Sequence, residues 1–343
     1  MSSTLALRAV VATVDKRPRL VADIGGTNAR LGWIAAPGAP VSQLRSLAVA
    51  GFAGPARAAQ DYLAGLAQRL GADFSPPRRA AFAVATAVAG DRIAFTNSHW
   101  DFSRAQVQAA LGLDSLLILN DFEALALSLP GLGAAQLRPH GVAPPLAGAM
   151  LAVVGPGTGL GVGAVMPTRL GWVALPGEGG HATLAPADEL ESALLACVRR
   201  QYAHVSAERL LSGIGLPLLH QALGQVLGAA PLVRTTAQIV ADGAAGSDAL
   251  SSQTLDLFCA LLGGFAGNVA LTLGARGGVY IGGGIVPRFA DRFFASAFRE
   301  RFEAKGRFRD YLAAVPTALI TDTLAALSGA ALAIEQQVAH EQG

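Results

Sequence analysis

An amide and a carboxylate, Asn120 and Asp121, directly follow the short apolar run LLIL and precede a helix-like stretch, FEALALSLP. Both side chains can cap the helix by accepting hydrogen bonds from its first free N–H groups. Ligands of open α/β sheets, however, bind at the carboxyl ends of the strands, where a carboxylate can act as a general base. Capping and catalysis both remain open at this point, because the strand–turn–helix pattern is compatible with either.

Two glycine-rich turns each open one half of the chain, within DIGGTN and GPGTGLG. Glycine lets backbone N–H groups approach an anion closely, and Asp23 could hold Mg²⁺ through water. A plain Gly-Gly hairpin turn is the alternative for the first of them. Neither turn fits the GxxxxGK[ST] or the GxGxxG pattern. Two such turns are what a phosphate clamp between two lobes requires, and its candidate residues are Gly25, Gly26, Thr27, Asn28, Gly157, Thr158 and Gly159.

Three further segments carry polar or glycine positions of interest. Gly282, Gly283 and Gly284 could offer a flat surface to a base or ribose, although a crowded strand–helix turn is the favoured explanation of this segment taken alone. Glu178 and His181 lie in a run of glycines, which is typical of a loop that faces a hydroxylated ligand; a solvated loop is the alternative. Glu208 follows Ser206 in a predicted helix, where favourable interaction with the helix dipole would suffice to explain it.

The composition is that of a globular protein. The 343 residues are 52% hydrophobic and 15% charged, with a formal net charge of +2, which leaves no room for a long disordered region. The sequence contains no basic run interleaved with aromatic residues, so we do not expect a nucleic-acid-binding surface. Cys197 and Cys259 lie outside any CxxC motif, which argues against a disulfide framework or a cysteine zinc site and fits a reducing cytosol.

One stretch, LFCALLGGFAGNVALTLGA between Asp256 and Arg276, is apolar enough to be tested as a membrane span. Its larger apolar residues recur at helical spacing and glycines interrupt it, so we predict a core helix of a cytoplasmic protein. The N-terminal sequence lacks the apolar core of a signal peptide. We expect residues 1–17 to form a loose extension.

Strand, glycine turn and strand recur in both halves, alternating with helix-like segments, which predicts two α/β units that are duplicates of each other. The Gly/Pro-rich residues 131–150 are expected to form a linker or long surface loop.

Taken together, these stretches resemble the bacterial glucokinase family, within the sugar kinase, actin and Hsp70-like ATPase superfamily. The resemblance runs from about Leu20 to the C-terminal helix. It is carried, in order, by DIGGTNARL, TNSHWDFS, LNDFEALALSLP, GPGTGLGVG, LPGEGGH, HVSAERLLSG, GGVYIGGGIVPRF and KGRF.

The resemblance implies two α/β lobes of ribonuclease-H-like, actin-like ATPase fold, with sugar and ATP–Mg²⁺ in the cleft between them. The expected domains are a small one, 18–131 plus 322–343, and a large one, 132–321. The implied activity is ATP-dependent phosphorylation of glucose at its 6-hydroxyl, the first step of glycolysis, with Asp121 as general base. The implied sugar-binding residues are Asn97, Asn120, Asp121, Glu178, His181 and Glu208, with the two glycine turns binding phosphates, Gly282–Gly284 binding adenosine, and a homodimer as the assembly.

Two departures from related kinases and repressors of the ROK family matter. The chain has no cysteine-rich zinc motif, so we expect no zinc, and too few residues precede the first strand for a DNA-binding domain. Another hexose, such as mannose or an N-acetylhexosamine, is an alternative substrate. ADP or polyphosphate is an alternative donor, and a sugar sensor without catalysis is an alternative of another class.

Overall fold

The computed structural model describes residues 16–95, 97–141, 143–229 and 232–342. Their chain contacts divide them into two units. Unit 1 runs to Asp121 and resumes at Ala330, and unit 2 comprises Phe122–Gly329. Residues 1–15 of the predicted N-terminal extension lie outside the described residues.

Unit 1 is built on a five-stranded mixed sheet. Its strands are β1 (Arg19–Ile24), β2 (Asn28–Ile34), β3 (Ser42–Ala48), β4 (Arg79–Val84) and β7 (Ser115–Asn120), with β5 (Arg92–Ala94) and β6 (Asp101–Ser103) as a separate pair. The order is β3-β2-β1-β4-β7; β1, β4 and β7 are parallel, whereas β2 is antiparallel to β1 and to β3. The helices are α1 (Pro55–Leu70), α2 (Arg104–Ala110) and most of the C-terminal α11 (Ala325–Gln342).

The core of unit 1 follows from apolar residues at the period of each element. Every residue of β4 after Arg79 is buried, as expected for a parallel strand covered on both faces. Helix α1 turns Ala58, Ala59, Tyr62 and Leu66 inward at helical spacing.

Unit 2 carries a six-stranded sheet. Its strands are β8 (Leu137–His140), β9 (Leu151–Pro156), β10 (Leu160–Thr168), β11 (Gly171–Leu175), β12 (Gly278–Ile281) and β13 (Thr317–Ile320). Its helices are α3 (Asp121–Ser128, of which Asp121 belongs to unit 1), α4 (Glu189–Arg199), α5 (Leu216–Val226), α6 (Thr236–Ala245), α7 (Ala249–Leu273), α8 (Ala290–Ala295), α9 (Phe298–Glu303) and α10 (Arg309–Ala313).

The two sheets share one plan. The order in unit 2 is β11-β10-β9-β12-β13-β8. Strands β9, β12 and β13 are parallel, and the β9–β10–β11 pairings are antiparallel. The series β11-β10-β9-β12-β13 of unit 2 therefore repeats the series β3-β2-β1-β4-β7 of unit 1 in order and direction. This repetition confirms the predicted duplication.

Two details differ from the expectations. The described part of residues 131–150 is not wholly loop, because β8 pairs antiparallel with β13. The contact boundary falls after Asp121 and after Gly329, earlier than the expected 131 and later than the expected 321. At the second boundary, Gly329 packs closely on Ala124 of the same unit: a Cβ added to Gly329 would lie 1.7 Å from the Ala124 carbonyl oxygen.

Helix α7 confirms the predicted core helix. Asp248 caps its start by accepting from the Ser251 N–H, and Gly274 ends it with φ of +64°. Among the described residues it is the one helix long and apolar enough to span a membrane, and 72% of its most apolar window is buried inside the protein.

Candidate active site

Asn120 and Asp121 lie at the carboxyl end of a parallel strand, as predicted. Strand β7 ends at Asn120 and α3 begins at Asp121. The Asn120 amide Nδ2 donates to the Thr86 carbonyl oxygen at 3.2 Å, because Asn120 is in register with Val84 at the end of β4. This bond fixes the end of β7, where Asp121 follows half-buried.

The first glycine turn joins β1 to β2. The Gly25 N–H donates to the Asn28 carbonyl at 2.9 Å, and the Val49 N–H donates to the Thr27 carbonyl at 2.9 Å. Both bonds hold the turn through its backbone, and the side chains of Thr27 and Asn28 are exposed. They are therefore accessible to a ligand.

Asp23, the candidate magnesium residue, precedes this turn within β1. Burial raises the pKa of its carboxyl group, and the Arg30 guanidinium, 3.9 Å away, acts against that rise. A bound cation would act in the same direction as Arg30, since positive charge favours the ionised form.

Asn97 lies directly against the first glycine turn. A Cβ added to Gly26 would be 2.7 Å from the Asn97 carbonyl oxygen and 3.3 Å from its Cβ. The segment is anchored by Trp100, whose ring is buried and whose Nε1 donates to the Phe52 carbonyl at 2.9 Å. The TNSHW motif thus places Asn97 beside the turn and leaves its side chain exposed.

The second glycine turn joins β9 to β10 and contacts Glu208. The Gly157 N–H donates to the Gly159 carbonyl at 2.8 Å. Glu208 Oε2 accepts from the Leu160 N–H at 2.9 Å, and a Cβ at Gly159 would lie only 2.4 Å from the same oxygen. The carboxylate therefore occupies the space that a side chain at Gly159 would take.

Glu178, His181 and Glu208 come together in unit 2. His181 Nε2 lies 3.9 Å from Glu178 Oε2, and His181 Nδ1 lies 3.8 Å from Glu208 Oε1. The loop can pack this way because its glycines meet β10 closely: a Cβ at Gly180 would lie 1.9 Å from the Leu160 carbonyl oxygen. Glu178 and His181 are 63% and 59% exposed, and Glu208 is 33% exposed, so all three can reach a ligand.

The helix predicted around Glu208 is wrong. Residues 206–212 form turns, with Arg209 donating its N–H to Ser206 at 3.1 Å. A β-bridge between Thr183 and Ser206 and a 2.9 Å bond from the Glu208 N–H to the Gly180 carbonyl bring this segment to the loop. Helix-dipole stabilisation therefore does not explain Glu208, whose position depends on these long-range bonds.

The third glycine segment, Gly282–Gly284, lies beside the second turn. The Ile285 N–H donates to the Pro156 carbonyl at 3.1 Å. Gly283 has φ of +77°, and a Cβ there would be 2.3 Å from the same carbonyl oxygen, which fits the crowded-turn interpretation. At Gly284 a Cβ would meet nothing within 4 Å, so the surface there is open, as a nucleotide surface would need.

Sequence reasoning missed two residues that shape this region. Phe122 fills a slot between glycines: a Cβ at Gly161 would lie 1.9 Å, and one at Gly155 2.4 Å, from its ring. Gly213 donates its N–H to the Gly157 carbonyl at 2.8 Å. The spacing of Gly161 and Gly163, on one face of β10, is the signal that could have revealed the slot.

The described residues contain no group of three or more His, Cys, Asp or Glu side chains arranged to hold a metal ion.

Comparison with known proteins gives concordant matches. The family model described as Glucokinase matches residues 20–337. A curated glucokinase of Aromatoleum aromaticum is 48% identical over 96% of this chain and 98% of its own length. The crystal structure of a glucokinase from an Antarctic psychrotroph is 35% identical, with a TM-score of 0.85 over 93% of this chain and 99% of its own.

A ROK family glucokinase from Streptomyces griseus, solved with glucose and AMPPNP, is 18% identical with a TM-score of 0.58 over 92% of this chain and 98% of its own; this likeness concerns the fold alone. The predicted α/β, actin-like ATPase fold class is thereby confirmed. On the family match and the curated relative, this chain belongs to the glucokinase family, a family of ATP-binding kinases.

Proposed function

We propose that this enzyme transfers the γ-phosphoryl group of ATP to the 6-hydroxyl of glucose, with Asp121 as the general base. The observation that carries the proposal is the position of Asp121, directly after a parallel strand in a chain of the glucokinase family. The carboxyl ends of parallel strands are where ligands of such sheets bind.

In the proposed reaction, the Asp121 carboxylate orients the 6-hydroxyl and accepts its proton as the oxygen forms a bond to the γ-phosphorus. The bond from that phosphorus to the β–γ bridging oxygen breaks, and ADP leaves with the electron pair. Phosphoryl transfer depends mainly on positioning and charge stabilisation. A carboxylate within hydrogen-bond reach of the hydroxyl can serve as this base.

For the sugar, we propose hydrogen bonds from its hydroxyls to Glu178, His181 and Glu208, joined by Asn97 and Asn120. The spacing of Glu178, His181 and Glu208 supports this role, because two carboxylates flank one imidazole within 3.9 Å. Glu208 uses Oε2 on the Leu160 N–H, and its Oε1, on the His181 side, is the oxygen that we assign to the sugar.

For the nucleotide, we propose that the turns at Gly25–Asn28 and Gly157–Gly159 bind the phosphates and that Gly282–Gly284 binds adenosine. The exposed Thr27 and Asn28 and the open surface at Gly284 support this assignment. Asp23 would hold Mg²⁺ through water, and the ion would supply charge neutralisation on the phosphates. We extend the proposal, on family likeness alone, to a cytoplasmic homodimer that acts at the entry to glycolysis.

A kinase for mannose or an N-acetylhexosamine remains the second candidate, because the same carboxylates and imidazole can bind several hydroxyl patterns. The test is ADP release from ATP–Mg²⁺ over a panel of hexoses, with a no-sugar blank and with ADP and polyphosphate as alternative donors. We expect glucose to give the highest kcat/KM with ATP. Release with another hexose only would keep the mechanism and change the substrate, and glucose binding without any release would favour the sensor.

A further inference from the structure

A small cavity in unit 2 has a wall that includes no residue of the glycine turns and no residue assigned above to the sugar or the nucleotide. Its volume is about 100 Å³, and its wall includes Gly264 and Asn268 of α7, Glu191 of α4, and Arg301 and Lys305. Since a water molecule takes up ~30 Å³ in the liquid, the cavity has roughly the volume of three waters. A tetrahedral oxyanion fits a cavity of this size.

One glycine of α7, Gly264, is not required by close packing. Gly263 and Gly267 are needed because added Cβ atoms would lie 2.1 Å from the Phe298 carbonyl oxygen and 2.5 Å from the Phe302 carbonyl oxygen. At Gly264 an added Cβ would meet nothing within 4 Å. Glycine inside a helix is less favourable than alanine because its backbone loses more conformational freedom on folding, so at this position the chain gives up helix stability and keeps the cavity open.

The acidic group of the cavity is already satisfied. Glu191 is 1% exposed; its Oε1 accepts from Arg301, and its Oε2 accepts from the Ala187 N–H at 2.7 Å. Arg301 also donates to Asp188, a half-exposed residue that caps α4, at 3.0 Å. The carboxylates near this cavity are thus engaged by Arg301 and by the start of α4.

Lys305 supplies the ammonium group of the cavity. Its Nζ donates to the Gly264 carbonyl at 2.9 Å, and it pairs with no carboxylate within the part of the chain that the structure describes. Burial, and secondarily the nearby Arg301, lower the pKa of Lys305, although Glu191 acts in the opposite direction. A half-buried ammonium with donors to spare is stabilised by an anion.

We propose that this cavity is a binding site for a phosphate-type anion, either inorganic phosphate or the phosphate group of a phosphomonoester, held by Lys305 and the Asn268 amide. Unlike the proposed nucleotide contacts, it offers a side-chain ammonium. Its wall continues into the proposed sugar loop, because residues 184–187 of the wall follow His181 closely and the Leu184 N–H donates to the Val205 carbonyl at 3.0 Å.

The lysine content allows a direct test. The chain has only two lysines, Lys16 and Lys305, so amine acetylation followed by mass spectrometry reads Lys305 with Lys16, which is exposed, as an internal control. Inorganic phosphate and glucose 6-phosphate are added at constant ionic strength, against chloride. A bound anion that raises the pKa by one unit lowers the reactive free amine about tenfold, and we expect slowing of that order at Lys305 and none at Lys16.

Protection by phosphate alone would identify the bare oxyanion as the ligand, and protection by both would identify the phosphate group. Equal rates at Lys305 with and without both anions would overturn the proposal. The Gly264→Leu variant fills the cavity and should abolish the phosphate effect, whereas Gly131→Leu, also at a glycine with open space, should keep it. Protection that persists in a folded Gly264→Leu protein would also overturn it. The readout does not depend on kinase activity, so the proposed function can fail without affecting it.

Discussion

The two sheets have the same strand plan but use the ends of equivalent strands differently. Strand β7 of unit 1 is followed at once by Asp121, the proposed base. Its counterpart in unit 2, β13, is followed two residues later by Asp322, which accepts from the Leu324 N–H at 2.8 Å and from Gln136 Nε2 at 2.6 Å. Equivalent places in a duplicated fold can thus hold an acid with a structural task in one copy and a proposed catalytic task in the other.

The glycine turns differ in a similar way. In each unit one glycine of the turn lies against a residue proposed to bind the sugar: Gly26 against Asn97, and Gly159 against Glu208. In unit 1 the contact is with a backbone oxygen, which is held by the fold around it. In unit 2 it is with the tip of a side chain, which can turn away if it gives up its bond from the Leu160 N–H. The space beside the turn glycine is therefore limited by a backbone atom in unit 1 and by a rotatable carboxylate in unit 2.

The largest expected effect is on kcat, and it distinguishes Asp121 from Asp322. We predict that Asp121→Ala lowers kcat by about 10²–10⁴-fold, because the general base is lost. Asp322→Ala, the matched control at the equivalent strand end, should keep kcat and lower the midpoint of thermal unfolding, because it loses the bonds to Leu324 and Gln136. Near-normal turnover of a folded Asp121→Ala enzyme would remove Asp121 from the mechanism.

The next effect tests the carboxylate–imidazole set of unit 2. Glu178→Ala should raise the glucose KM about tenfold or more, since a hydrogen bond to a charged group contributes about 1.5–3 kcal/mol. Glu189→Ala removes an exposed carboxylate of the same unit and should leave the KM unchanged. Equal KM values for the two variants would show that Glu178 does not contact the sugar.

A pair of alanine substitutions tests the difference between the turns. Gly26→Ala places a methyl group against the Asn97 backbone, so we expect a loss of about 1–3 kcal/mol in stability from overpacking. Gly159→Ala displaces only the Glu208 carboxylate, so we expect a raised glucose KM with a smaller change in thermal midpoint. Kinetics and calorimetry on both variants give the comparison, and the reverse pattern would contradict it.

The smallest expected effect is a pH-dependent change in thermal stability on replacing Asp23. Burial raises the pKa of its carboxyl group in the folded chain, so the folded state binds this proton more tightly than the unfolded state. Its contribution to stability is then most favourable below the unfolded pKa of about 4 and falls as pH rises through the folded pKa.

Asp23→Asn should therefore raise the thermal midpoint at pH 7, and the gain should shrink towards pH 4. Unfolding scans of the two proteins across this range measure the difference. A variant that is less stable than the parent at pH 7 would show that the ionised Asp23–Arg30 pair outweighs the burial.

Local sequence patterns predicted much of the fold. The period of the apolar residues and the glycine turns predicted the two α/β units, a core helix within the apolar stretch 257–275, which the structure shows as Ala249–Leu273, and the strand end at Asn120. These features are local, because strand and helix periods and turn residues act over a few neighbours. The order of its motifs also pointed to the glucokinase family, which the family match confirmed.

Other features of the site and of the fold depend on contacts between segments that are distant in the sequence. Glu208 looked like a residue in the first turn of a helix, and the bonds to Gly180 and Leu160 that place it beside His181 join segments far apart in the sequence. Strand β8 likewise needed its partner β13, since an edge strand in a Gly/Pro-rich segment carries little local signal. The open space at Gly264 and the hydrogen bond from Lys305 to the Gly264 carbonyl depend on where other helices pack, which no local pattern encodes.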